Sequence, residues 1–136
     1  MNNTTITSTP PAPTVVQGDS PAAIRRARQA AGAFAHRLTP ALSPRAADAL
    51  VLVVCELVTN AVRHGGGRYT LRLSAGPETV TAAVSDPNPD HPRERTPDLE
   101  GGSGGFGWHL VRRLADRLTV TPGPGSGKTI CAELPL

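Results

Sequence analysis

Aromatic residues are scarce in this chain: one Trp, one Tyr and two Phe among 136 residues. A core must therefore be assembled from Ala, Val, Leu and Ile, within a hydrophobic share of 38%. The same scarcity argues against a nucleic-acid surface of the stacking kind, even though the formal net charge is +3. Lysine is scarcer still, since Lys128 is the only one and every other basic side chain is a scattered Arg. That distribution reads as a basic surface with no direct nucleic-acid partner. No apolar run approaches the ~20 residues needed to cross a bilayer, so no membrane contact is expected. Met1 to Ser20 holds neither Lys nor Arg and no apolar stretch, which excludes a signal peptide there. Only Cys55 and Cys131 occur, without metal-ligand spacing and within apolar periodic stretches. They read as reduced core residues of a cytoplasmic protein.

The length suits one domain with one core. Residues 1–20 are rich in Thr, Pro and Asn with almost no charge, and are expected to form a disordered tail. The folded domain is then 21–136. From Pro21 the pattern turns helical, with Ser20 as N-cap and Ile24, Ala27, Ala31 and Phe34 as one apolar stripe. This helix should stop near Leu38, ahead of Thr39-Pro40. Ser43-Pro44 repeats the N-cap-then-proline signal and opens a second helix, which Gly65-Gly66-Gly67 ends after His64. Leu50, Val53, Val54, Leu57 and Ala61 form its core face, and it is apolar nearly all round. Strands follow near 68–73 and 79–85, with Gly76-Pro77 as a hairpin turn. Residues 87–105 are rich in Pro, Gly and Asp and lack periodicity. Loops this long in compact domains are usually functional or disordered. A third helix is expected over about 106–116, then strands near 117–121 and 129–134. The order predicts an α+β fold: a two-layer sandwich with helices on one face of a mixed, mostly antiparallel sheet.

Three local patterns suggest chemistry that their context denies. Gly101-Gly102-Ser103-Gly104-Gly105 has the form of a nucleophile elbow, and His64-Gly65-Gly66-Gly67 that of a lipase oxyanion loop. No strand runs directly into Ser103, and no histidine follows Asp116 to complete a triad. Gly123-Pro124-Gly125-Ser126-Gly127-Lys128-Thr129 looks like a phosphate-binding loop. However, Pro122 stands where its first glycine should be, and a strand rather than a helix follows. A hairpin turn is the better reading.

The informative set is Glu56, Asn60 and His64, spaced i, i+4, i+8 on one face of a buried helix. A carboxylate and an amide inside an apolar helix need partners. They could cap neighbouring loops, or they could line a site. His64 and His109 read as structural or surface residues, and Trp108 as a core anchor.

Four segments carry a family resemblance. Val54-Cys55-Glu56-Leu57-Val58-Thr59-Asn60-Ala61-Val62-Arg63-His64-Gly65 resembles the N box of the gyrase, Hsp90, histidine-kinase and mismatch-repair ATPases, the Bergerat fold. Its form is most similar to actinobacterial anti-sigma-factor serine kinases. Val84-Ser85-Asp86-Pro87-Asn88-Pro89 resembles that group's first adenine-side box, with prolines where the wider superfamily has glycines. Gly104-Gly105-Phe106-Gly107-Trp108-His109-Leu110-Val111 resembles the second, glycine-rich box, and Gly127 through Leu134 the closing strand.

The resemblance implies ATP and Mg²⁺. Asn60 would offer a hard carbonyl ligand to Mg²⁺. Asp86 would accept from the adenine amino group, with Thr129 assisting adenine recognition. Gly104, Gly105 and Gly107 would let backbone approach phosphate at the start of the third helix. Glu56 would be the general base. By the same resemblance the partners would be a sigma factor and a small anti-anti-sigma protein, whose serine is phosphorylated. A homodimer stays open. The alternative is an ATP-binding switch that acts by sequestration without phosphoryl transfer.

Overall fold

The structure is a computed structural model that describes residues 12–90 and 106–136. Alternation of buried and exposed side chains runs through the strands, and two amphipathic helices cover the buried face. The elements are β1 (Thr14–Gly18), α1 (Ala22–Arg37), α2 (Pro44–His64), β2 (Tyr69–Ala75), β3 (Thr79–Asp86), α3 (Phe106–Leu114), β4 (Arg117–Pro122) and β5 (Lys128–Pro135). The five strands form one sheet in the order β1-β2-β3-β5-β4, and each pairing is antiparallel. The fold is α+β, as the element order predicts.

The fold departs in part from the expected tail. Residues 14–18 belong to β1, which pairs with β2 in a register of Thr14 with Leu73 and Val16 with Leu71. The expected tail 1–20 is thus partly a docked strand. Val16 packs against the core, Arg37 bonds the Thr14 hydroxyl, and Arg26 donates to the Gln17 carbonyl at 3.3 Å. Residues 1–11 of that expected tail lie outside the described residues.

Helix α1 starts at Ala22 with Pro21 in front of it and no side-chain cap, so Ser20 does not cap it as expected. Its buried stripe is Ala23, Ala27, Ala31, Phe34 and Ala35. Helix α2 begins as its sequence dictates, with the Ser43 hydroxyl accepting from the Ala46 N–H at 3.1 Å. It ends where Gly65 donates to Ala61 O at 3.0 Å. Leu50, Val53, Val54, Leu57, Val58 and Ala61 are buried along it. The helix is not enclosed on every side, because Leu52 is 45% exposed. Helix α3 lies against α2 and buries Val111.

Neighbours across an antiparallel pair share a face. Tyr69, Leu71 and Leu73 of β2, Val80, Ala82 and Val84 of β3, and Ile130, Ala132 and Leu134 of β5 are therefore the layer beneath the helices. The other face carries Arg72, Thr81, Ala83, Cys131 and Glu133 in the alternate phase. Cys131 is half-buried there, away from the helices, and Cys55 is half-buried on α2, so neither is a core cysteine. Burial and the nearby Glu133 push the Cys131 thiol pKa up, while a hydrogen bond to Thr119 pulls it down.

Candidate functional site

The buried layer ends in two charges. Asp86 closes β3 and Lys128 opens β5, directly opposite each other in the ladder. They continue the same phase as Val84 and Ile130 and are 6% and 5% exposed. Lys128 Nζ donates to Asp86 Oδ1 at 3.0 Å and to Asn88 O at 2.8 Å. The Asn88 N–H also reaches Asp86 Oδ1, at 2.9 Å.

The end of α2 is fastened to this pair. Asn88 Nδ2 donates to His64 O at 2.8 Å, and the Asn88 N–H points also at Gly65 O, 3.1 Å away. Gly65 packs so tightly on Asp86 that a Cβ there would fall 2.5 Å from Oδ2. The triple glycine thus does more than end the helix. It lets α2 seat its last turn on the carboxylate, and Gly66 and Gly67 take the positive φ values of 105° and 89° that turn the chain into β2. Gly127 makes the corresponding close approach from β5, against Asp86 O.

Asn60 lies one turn before this seat and Glu56 one turn further back, both half-buried on α2. Burial raises the Glu56 carboxyl pKa above the ordinary value, and the Arg63 guanidinium partly offsets that rise. His64, at the end of the same series, is exposed and makes contacts of its own. Trp108 is half-buried and packs against the core.

Thr129 does not join Asp86. It is one residue out of phase, so its side chain stands on the opposite face of the sheet. There its hydroxyl donates to Gly123 O at 2.7 Å, so in the 2.8 Å contact with Ser85 Oγ it must accept. This fixes the β4–β5 turn, in which Gly123 N donates to Gly127 O at 2.9 Å. The apparent phosphate-binding loop is that hairpin turn. The side chain that stands next to Asp86 is Lys128, which the sequence reading passes over. Gly107 lies in the first turn of α3. Residues 91–105 of the long loop, Ser103, Gly104 and Gly105 among them, lie outside the described residues.

The match of a family model decides the assignment: the histidine kinase-like ATPase domain, aligned over residues 19–133. The chain belongs to that family. No curated protein matches it. Family membership supports ATP as ligand, and the side chains fit such a ligand. Asp86 Oδ2 accepts no hydrogen bond from the described residues, and the two N-box polar groups lie just up the helix that seats on it. A cleft of about 560 Å³ also opens onto Asp86, between Arg26 and Arg68 on the β1–β2 side. Glu56 and Asn60 do not line it. Among the described residues no helix is long and apolar enough to cross a membrane.

Proposed function

We propose that the protein is an ATP-binding regulator, an anti-sigma factor with serine/threonine kinase activity toward a small anti-anti-sigma partner. The observation that supports the proposal is the junction of α2 with the end of β3, where the buried Asp86 carboxylate packs against Gly65 at the end of the helix that carries Glu56 and Asn60. Asp86 would accept from the adenine amino group. Asn60 would hold Mg²⁺ through its amide oxygen. Among the described residues no group of three or more His, Cys, Asp or Glu side chains is placed to hold a metal, so that ion would draw its other ligands from phosphates and water.

Glu56 suits a general base, since partial desolvation raises its pKa from the ordinary carboxylate value. It would take the proton of the partner's serine hydroxyl as that oxygen bonds the γ-phosphorus and ADP departs. Incubation with γ-labelled ATP and candidate partners from the same genome tests the proposal. Label on a partner serine supports it. ATP binding without transfer to any partner would instead favour the sequestration switch.

A further inference from the structure

The chain's single lysine is buried. Lys128 stands in phase with Ile130, Ala132 and Leu134, where an apolar side chain would serve the core better. A buried ammonium is costly unless it is paired and hydrogen-bonded. Lys128 is paired, yet its capacity is not exhausted. An ammonium has three N–H groups, and the bonds to Asp86 Oδ1 and Asn88 O use two. Asp86 shows the complementary surplus. Oδ1 takes both Lys128 and the Asn88 N–H, and Oδ2, packed against Gly65, takes no hydrogen bond from the described residues. Among the described residues, an unspent donor and an unspent acceptor therefore stand side by side, fixed by three hydrogen bonds and without net charge.

We propose that Lys128 is a base-reading residue of the nucleotide site, donating to ring N1 of adenine while Asp86 Oδ2 accepts from the 6-amino group. This rests on the ATP-binding reading above. Adenine presents a donor and an acceptor next to each other on one edge, matching a carboxylate beside an ammonium. A 6-oxo purine reverses both groups. Its carbonyl would meet Asp86 and its N1–H would meet Lys128, so rejection is twofold where the carboxylate alone would supply one contact. A neutral pair also suits a neutral base, since binding strands no charge.

Calorimetry on the full chain with Mg²⁺ complexes of ATP, 1-deaza-ATP and ITP tests this. Replacing N1 by C–H should weaken binding by about tenfold to a hundredfold, the scale of a hydrogen bond to a charged group. ITP should bind more weakly still. In Lys128→Met the preference for ATP over 1-deaza-ATP should collapse to near one. Lys128→Gln, which keeps a neutral donor, should retain part of it and serves if the Met variant does not fold. Equal affinity of the native chain for ATP and 1-deaza-ATP would overturn the role of Lys128 and leave ATP binding standing. So would a preference that survives undiminished in Lys128→Met, or in Lys128→Gln if the Met variant does not fold. Absence of ATP binding in the native chain would overturn both readings.

Discussion

Glu56 costs the fold something as a carboxylate. Burial raises its pKa in the native state, so the native chain holds its proton more tightly than the unfolded chain does. Stability is then highest below the unfolded pKa, falls as pH rises toward the folded pKa, and stays at the lower level above it. Glu56→Gln should accordingly raise the melting temperature at neutral pH, and the gain should vanish below about pH 4, the ordinary carboxylate range. A gain that persisted at low pH would contradict the desolvation account. The same variant separates binding from transfer: ATP affinity should be retained, and turnover in the kinase assay should drop roughly 10²-fold or more. Gly127 yields a purely structural prediction. Any Cβ there would run into the Asp86 backbone oxygen, where no flexible side chain can yield. Gly127→Ala should lower stability by several kcal/mol, on the order of a severe core lesion. A near-native denaturation midpoint would mean that the β5 start lies further from β3 than described.

At the level of elements, the helices were legible because their signals are local. Ser43-Pro44 and Gly65 bracket α2 in sequence as they do in the fold, and Gly76-Pro77 marks the β2–β3 turn, closed by Gly76 N to Thr79 O at 2.8 Å. Strand β1 was not legible, for a physical reason. It is an edge strand of five residues in which Val16 is the only apolar side chain turned inward. Its order comes from pairing with β2, far along the chain, which no local pattern records. The dispensability expected for residues 1–20 therefore changes. Deleting 1–18 removes a whole ladder, the Arg37 and Arg26 contacts and the packing of Val16. It should lower the melting temperature by about 5 °C or more, given roughly 2–8 °C per kcal/mol across domains of about 60–250 residues. An unchanged melting temperature would show that β1 adds nothing to the stability of the sheet.

For the molecule as a whole, the site is a matter of which sheet face a residue occupies. The sequence resemblance picked out Glu56, Asn60 and Asp86: the first two lie half-buried on α2, and Asp86 ends β3 against Gly65, the residue that closes that helix. It also pointed to Thr129, whose side chain stands on the opposite face of the sheet from Asp86. Alternation alone held the missing signal, because Lys128 shares the phase of Ile130, Ala132 and Leu134 and lies opposite Asp86. A lone charge in an apolar phase demands a partner, but only the β3–β5 register says which one it finds. The central claim is that this junction binds Mg-ATP. The most direct measurement is calorimetric titration of Mg-ATP into the native chain, Asn60→Asp and Asp86→Asn, each with its fold checked by circular dichroism. Saturable binding by the native chain, with large losses of affinity in both folded variants, is the predicted result. Equal affinity in all three, or no binding by the native chain, would contradict the account.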